Sequence, residues 1–410
     1  MTSIDLPRGH AVRLGLERLS RIIGIDPRLL GMLLVLVVIW LALNIATGGT
    51  FLSARNLFNL SLQVAVVGVM ATGMVLVIVS RNIDLSIGSV LGFVGVFGAL
   101  MQTEWLGLGH GYTWWVTSLL MLLLGTVIGA GQGAIVAYGG VPSFIVTLGG
   151  LLFFRNAAFQ INLGATVAPL DETFQLLGGG LNGTIGAFWS WICGGLAIVA
   201  IAVSSILIRR KRQRFGFAVR PLPMEIVGIV LWSALVLVFV AVMNAYPQPK
   251  TNEPMGIAIP VLILIGVTLI MTIVARRTGF GRYVYAIGGN PESAELAGIS
   301  VKFTIVKVFA LMGLLAGIAS IIITARLNAG ASVTGTLTEL NVIAAAVIGG
   351  TSLAGGIGTI YGAVLGAVFM QSLENGMVLL GVPTPLQKMV IAVVLVAAVW
   401  IDRVYQRSRT

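Results

Sequence analysis

The chain has 410 residues, of which 57% are hydrophobic and only 10% are charged. Soluble domains carry about 25% charged residues, so this composition excludes a soluble enzyme and a disordered chain and indicates a helical protein that crosses a membrane many times. The 25 Lys and Arg residues outnumber the 14 Asp and Glu residues, and the net charge is +11. We interpret this excess as basic cytoplasmic loops rather than as a surface that binds nucleic acid.

The first 28 residues form an arginine-rich arm ahead of the first apolar segment. The arm lacks the pattern of a cleaved signal peptide, so we expect it to lie in the cytoplasm as an amphipathic segment. Twelve apolar segments follow, each compared with the roughly 20 residues that cross a bilayer. They lie at 29–47, 60–80, 85–102, 113–137, 144–163, 185–208, 225–245, 256–275, 303–326, 339–354, 357–381 and 387–402.

The basic residues favour an even number of crossings with both termini in the cytoplasm. Twelve crossings place the basic segments 209–224 and 276–302 and the tail 403–410 on the cytoplasmic side. Ten crossings stay open, because Gly or polar residues interrupt several segments and these could be broken or re-entrant. We therefore predict an all-α polytopic membrane protein of about twelve helices (ten to twelve), with one transmembrane domain over residues 29–402 and no separate soluble domain.

A capped helix is predicted over residues 290–297, inside the cytoplasmic segment 276–302. Asn290 is typical of an N-cap, and Pro291 is typical of the first helical position. Glu292 lies in the first turn, where the helix dipole favours an acid, and Gly298 suits a left-handed stop. A plain connecting turn is the alternative. Because a few residues are enough to join two membrane helices, a capped helix here indicates a docking surface for a partner.

The segment 339–356 is rich in small residues and contains two glycine pairs, Gly349-Gly350 and Gly355-Gly356. Each glycine weakens a helix by roughly 1 kcal/mol relative to alanine. A break here would free backbone groups that must line protein or water. Tight packing of an unbroken helix is the equally weighted alternative.

Acids and amides interrupt other apolar runs. No Lys or Arg at helical spacing pairs with the acids, which argues against a proton relay, and these residues alone do not assign a substrate site. The candidates for a pathway or gating role are Asp84, Ser86, Glu339, Asn341 and Asn375; Glu374 also lies in an apolar run.

Several sequence motifs of enzymes are absent. The chain has no phosphate loop, no His-Glu-x-x-His motif and no Gly-x-Ser-x-Gly elbow, so we predict no catalytic residues and no cofactor. Its single cysteine, Cys193, excludes an intrachain disulfide. With two histidines, His10 and His110, we predict no metal site.

Several segments, in this order, resemble the permease subunits of bacterial ABC importers for monosaccharides, the ribose, arabinose, galactose and xylose group. The extra helix pair at 185–245 resembles that of the xylose members. The matching segments are 82–89, which contains Ile83-Asp84-Leu85-Ser86, and 141–149, 285–299, 339–359 and 375–377.

The resemblance implies a mechanism. Two copies of the chain would form the pathway in the bacterial inner membrane for xylose or a related pentose. A periplasmic binding protein would deliver the sugar, and a cytoplasmic ATPase would bind the ATP and magnesium. The coupling helix that docks on this ATPase would be formed by Asn290, Pro291, Glu292, Ser293, Ala294, Glu295, Leu296 and Ala297. No nucleic acid is expected as a partner.

Two other classes of function stay open. An ion-coupled secondary sugar transporter would need functional acids or helix breaks at mid-membrane, and Asp84 or Glu374 could serve. A passive channel or membrane scaffold is the third class. The secondary transporter would work without an ATPase, so the requirement for ATP distinguishes it from the importer.

Overall fold

The computed structural model describes residues 27–108, 111–180, 182–219, 221–249 and 252–407. Most of the predicted arm at 1–28 and the last three residues of the predicted tail lie outside the described residues. The helices are α1 Pro27–Ala46, α2 Ala54–Val79, α3 Ile87–Leu100 with a π-helical turn at Met101–Trp105, α4 Thr113–Gly139, α5 Ser143–Asn162, α6 Glu172–Leu176, α7 Gly186–Arg214, α8 Leu222–Asn244, α9 Ile259–Arg277, α10 Gly279–Gly289, α11 Pro291–Leu296, α12 Val301–Leu327, α13 Thr338–Ile348, α14 Ile360–Leu379 and α15 Thr384–Arg407.

Nine helices in the described part of the chain are long and apolar enough to cross a membrane. Three shorter apolar stretches accompany them, at Leu30–Ala46, Thr338–Ile348 and Thr384–Trp400. The prediction of an all-helical, multi-pass membrane protein is confirmed for these residues. Twelve crossings and two cytoplasmic termini stay predictions.

Contacts between Cα atoms divide the chain into two compact units. The first unit combines the residues up to Phe58 with Ile185–Ile257. The second combines Asn59–Thr184 with the residues from Ala258 onward. The candidate coupling helix and the candidate pathway residues all belong to the second unit, so the functional site is sought there.

The first unit contains the helix pair α7 and α8, in the region predicted at 185–245. The helices approach closely at Gly194, where a Cβ would lie 2.9 Å from Cγ2 of Val240. Arg209 and Glu225 form an ion pair between them. Only 6% of the apolar window of α7 and 11% of that of α8 is buried, which leaves most of this apolar surface to lipid.

The second unit is centred on close backbone contact between α4 and α12. Gly125 and Gly129 lie four residues apart on α4, which places them on one face of the helix. Both meet Gly313 of α12, and a Cβ at Gly129 would lie 3.1 Å from the Gly313 Cα atom. Residues without side chains let helix backbones meet in this way.

The predicted segment 339–354 is not one continuous helix. α13 has 11 residues and ends at Ile348. At 1.5 Å per residue it is about 16 Å long, about half of the ~30 Å hydrocarbon core. The chain leaves the helix at Gly349 and Gly350, and Gly350 has a φ of +89°. Of the two alternatives that the sequence left open at this glycine pair, the structure shows the break.

The non-helical backbone on both sides of α13 finds partners within the protein. Before α13, Gly330 and Val167 exchange two N–H···O hydrogen bonds of 2.9 Å. After α13, the N–H of Ser352 donates to the carbonyl of Ile357 at 2.9 Å. Irregular backbone at membrane depth is tolerated only where it is satisfied in this way or by water.

The close packing of α4 on α12 predicts that one added methyl group at their contact lowers the stability of the protein. In Gly313→Ala, the new Cβ would strike the Gly125 carbonyl oxygen, and overpacking of this kind costs about 1–3 kcal/mol. We expect a lower thermal midpoint in detergent.

The matched control is Gly131→Ala on α4, because nothing lies within 4 Å of a Cβ there and alanine favours a helix by roughly 1 kcal/mol over glycine. We expect this variant to melt no lower than the unmodified chain. Equal midpoints for the two variants would contradict the close contact.

Candidate functional site

The predicted helix at 290–297 is present as α11, Pro291–Leu296. The N–H of Ser293 donates to Oδ1 of Asn290 at 3.0 Å, so Asn290 is the N-cap. At the other end the N–H of Ile299 donates to the Ala294 carbonyl, and Gly298 has a φ of +83°. The predicted caps are confirmed. The docking role of this helix is not tested by its geometry.

α11 presents its acidic side chains and one apolar side chain to solvent. Leu296 is 90% exposed, and Glu292 and Glu295 are exposed as well. Ala294 is buried and fixes the opposite face. Leu296 lies at the end of this capped helix and is accessible to a partner.

Three separate parts of the chain meet behind α11, at a cluster that we call the glycine junction: Arg81, Gly288, Gly289, Gly355 and Gly356. The guanidinium of Arg81 donates from Nε to the Gly288 carbonyl at 2.8 Å and from Nη2 to the Gly289 carbonyl at 2.7 Å. The Arg81 side chain can pass this close to the backbone at position 355 only because that residue is a glycine: a Cβ there would lie 2.5 Å from Cγ of Arg81.

The backbone of the junction is also bonded to the end of α2. The N–H of Gly356 donates to the Val79 carbonyl at 3.0 Å. Arg81 follows α2 with a φ of +62°, in the position after a helix where glycine is usual. A left-handed conformation costs conformational free energy in a residue other than glycine. In Arg81 the two hydrogen bonds from its side chain offset this free energy.

Two tyrosines hold the same region together. The hydroxyl of Tyr285 on α10 donates to the Gly358 carbonyl at 2.8 Å. Burial raises the pKa of Tyr285, and the charge of Arg276 opposes this shift, so the hydroxyl stays protonated and able to donate. Arg276 in turn donates to the hydroxyl of Tyr361 at 2.9 Å.

Asp84 and Ser86 form a buried polar cluster of their own. The Oδ1 atom of Asp84 accepts from the N–H of Ser86 at 2.8 Å and from its hydroxyl at 2.7 Å. The Ser86 hydroxyl also lies 3.0 Å from Oε1 of Gln132. This cluster shapes the connection between α2 and α3.

Glu339 is buried at the beginning of α13, with 2% of its surface exposed. Its Oε1 atom lies 4.0 Å from Nη2 of Arg155, and its Oε2 atom has no hydrogen-bond partner among the described residues. A Cβ at Gly88 would strike this Oε2 atom. Glu339 is therefore enclosed by protein, against the first turn of α3.

A cavity of about 380 Å³, with both apolar and polar side chains in its wall, lies within the second unit. Residues of α2, α3, α12, α13, α14, α15 and the loop before α13 form its wall. Of the five predicted pathway residues, only Asn341 lines it. Asp84, Ser86 and Glu339 lie outside the wall, and so does the buried Asn375 of α14.

Glu374 is the centre of a hydrogen-bond network on this wall. Its Oε1 atom accepts from Nζ of Lys388 at 2.9 Å. Its Oε2 atom accepts from Nδ2 of Asn341 at 3.0 Å and from Nε2 of Gln371 at 3.1 Å. The expectation that the acids lack a basic partner is wrong for Glu374. Its partner, Lys388, lies on the next helix, and a search for basic residues at helical spacing finds only partners on the same helix.

Sequence reasoning therefore missed most of the wall, including Gln371, Lys388 and Arg326, and left Glu374 out of the candidate set. Gln371 and Glu374 lie three residues apart, which places them on one face of α14. That spacing was a usable signal. No local sequence pattern predicts that α15 and the end of α12 pack against this cavity and bring Lys388 and Arg326 to its wall.

Residues 56–399 match the model of a protein family described as "Branched-chain amino acid transport system / permease component". The chain belongs to this family. It is 41% identical to the "Xylose transport system permease protein XylH" of Haemophilus influenzae over 371 residues, which are 90% of this chain and 95% of the relative. The protein of the same description in Escherichia coli K12 is 41% identical over 380 residues, 92% of each chain.

A third relative of this permease chain is the "Ribose import permease protein RbsC" of Escherichia coli K12. It is 33% identical over 369 residues, which are 90% of this chain and 92% of the relative. No solved structure gives a significant match.

The glycine junction predicts that the Arg81 side chain holds α11 in place. Arg81→Gly keeps the left-handed backbone, which glycine adopts freely, and removes only the side-chain bonds. We expect faster amide hydrogen exchange in residues 285–299 and 351–359. The loss of about 1 kcal/mol at this exposed site corresponds to an increase of about fivefold.

The control is Leu163→Gly, which makes the same change at another exposed left-handed residue, with a φ of +51°. We expect no faster exchange in those two segments. Unchanged exchange in Arg81→Gly would show that the arginine bonds do not hold the junction.

Proposed function

We propose that this chain is the permease subunit of an ATP-driven importer that carries xylose or a related pentose into the cell. The observation that carries the proposal is the 41% identity, over nine-tenths of the chain, to two permease proteins named for xylose transport. The ribose permease is less similar, at 33%, which favours xylose over ribose.

The remaining parts of the importer are part of the same proposal. The chain acts as a homodimer in the bacterial inner membrane, and a periplasmic binding protein delivers the sugar. The chain hydrolyses no ATP. A cytoplasmic partner ATPase binds ATP and magnesium, in keeping with the lack of a phosphate loop in the 410 residues.

In this proposal α11 is the coupling helix, and Glu292, Glu295 and Leu296 contact the ATPase. Its exposed Leu296 and rigid caps support this role. Movement of the ATPase would enter at α11, pass through the glycine junction and reach α13, because Gly355 and Gly356 lie in the segment that follows α13.

Sugar uptake into proteoliposomes tests the function. Vesicles contain this chain with or without its ATPase, ATP and the binding protein, and xylose, ribose and arabinose are compared. We expect xylose uptake that requires both partners and ATP. Uptake by the chain alone, driven by an ion gradient, would replace the importer with a secondary transporter.

The coupling role of α11 predicts the effect of changing its exposed face. The double variant Glu295→Arg with Leu296→Asp alters only exposed side chains, so the fold is preserved. We expect it to lose association with the ATPase in pull-down and to lose ATP-driven uptake, because a buried charge at a partner interface is costly.

The control for this variant is Leu108→Asp, which places the same charge at another exposed leucine, 42% exposed, in the connection between α3 and α4. It should associate normally. Normal association and transport in the double variant would remove α11 from the proposed interface.

A further inference from the structure

We propose that the cavity of the second unit is a transit site for one neutral monosaccharide, held by the polar part of its wall: Asn341, Gln371 and the Glu374–Lys388 ion pair. This inference rests on the proposed function and adds the place at which the sugar is held. At about 380 Å³, the cavity falls at the small end of the roughly 300–1,000 Å³ of small-molecule sites. It therefore suits a single sugar ring better than an oligosaccharide.

The chemistry of the wall matches a polyol. Each sugar hydroxyl donates one hydrogen bond and accepts others. Lys388 supplies donors only, the Glu374 carboxylate supplies acceptors, and the amides of Asn341 and Gln371 supply both. Since Lys388 and Glu374 neutralise each other at 2.9 Å, the network favours a ligand without net charge.

One atom of the network lacks a partner. Asn341 is 6% exposed, and its Nδ2 donates to Glu374. Its Oδ1 is buried without a hydrogen bond among the described residues, and an unsatisfied buried acceptor costs about 1–3 kcal/mol. A rotation of the Asn341 side chain would bring this acceptor into contact with a sugar hydroxyl in the cavity.

The position of the cavity supports the same assignment. Thr338 and Asn341 line it from the first turn of α13, the helix that is too short to cross the membrane. Many secondary transporters bind their substrates beside discontinuous helices of this kind, and the same physical reasoning applies to a permease, because a broken helix leaves polar groups that can face a ligand. The segment after α13 leads to the glycine junction, so a movement of α13 would alter both places.

The wall is suited to weak binding. Among the described residues, no aromatic side chain lines the cavity, so a sugar ring would have no stacking partner. Weak binding is what a transit site needs, because a sugar held tightly here would not be released. A permease fed by a binding protein does not need a second tight site.

Arg326 also lines the cavity and adds a positive charge. This charge makes a sugar acid the main competing ligand, since a guanidinium pairs well with a carboxylate. The Glu374–Lys388 pair, which has no net charge, and the unbonded amide oxygen of Asn341 favour the uncharged sugar. The two ligand types are separated by experiment.

Protection of a cysteine from a thiol reagent tests the proposal. Thr338→Cys is made in a Cys193→Ser background, and the full-length chain is assembled with its ATPase in lipid vesicles. The rate of modification by a methanethiosulfonate reagent is measured without sugar, with high D-xylose and with high D-xylonate. We expect D-xylose to slow the reaction severalfold and D-xylonate to slow it less.

The control is Leu108→Cys in the same background, an exposed position away from the cavity, which neither ligand should protect. Equal rates at position 338 with and without D-xylose would overturn the proposal. Protection by D-xylonate alone would overturn the neutral-sugar assignment and make the cavity a site for a sugar acid.

A second variant tests the cavity without a change in α13. Gln371→Ala enlarges the cavity and removes one hydrogen-bonding amide. We expect the ratio of xylose to glucose uptake to fall severalfold, whereas a loss of folded protein would lower both equally. Gln102→Ala changes a buried glutamine outside the wall and should leave the ratio unchanged.

These measurements separate the two proposals. If the unmodified complex shows no ATP-driven uptake of any sugar, the proposed function fails. If uptake by the unmodified complex is normal, but position 338 is not protected and Gln371→Ala keeps the ratio, the function stands and the cavity is not the transit site.

Discussion

A polar backbone in a lipid bilayer must find its hydrogen bonds within the protein, because lipid offers none. This chain interrupts its helices inside the second unit and still meets that requirement. Before α13, Gly330 pairs with Val167; after α13, Gly356 bonds to the end of α2. The interruptions are possible because glycines let backbones come close enough to bond. The positions of α11 and of the cavity in the second unit both depend on these contacts.

α13 connects the two places that the account treats as functional. Its first turn contributes Thr338 and Asn341 to the cavity wall. The segment that follows its last turn contributes Gly355 and Gly356 to the glycine junction, behind α11. A helix of about 16 Å thus joins a surface suited to a partner and a cavity suited to a small ligand. The physical link between them is the backbone that follows α13, the bond from Gly356 to the end of α2, and the side-chain bonds of Arg81.

Local patterns in the sequence predicted local structure well. Asn290, Pro291 and Gly298 predicted the caps of α11. The glycine pair at 349–350, where α13 ends, was compatible with a break or with tight packing of an unbroken helix. The apolar segments predicted the long helices to within a few residues. Each of these features depends on neighbours in the chain, where helix capping, propensity and hydrophobicity act.

Contacts between distant segments could not be predicted in the same way. The Glu374–Lys388 pair, the bonds from Arg81 to Gly288 and Gly289, and the enclosure of Glu339 depend on how helices pack. Asp84 and Ser86 were predicted as pathway residues, but their polar atoms bond to each other. A buried acid in an apolar sequence has either a structural or a functional role, and the sequence alone does not separate them.

The central claim is that α11, the glycine junction and the segment after α13 move together. The most direct measurement is the distance between spin labels at the exposed Ser293 and Ile357, in a Cys193→Ser background diluted with unlabelled chain. It is recorded in the assembled transporter without nucleotide and with ATP trapped. If α11 moves together with the segment after α13, the distance distribution is the same in both states. A shift between the two states would contradict it, because α11 would then move independently of the broken helix.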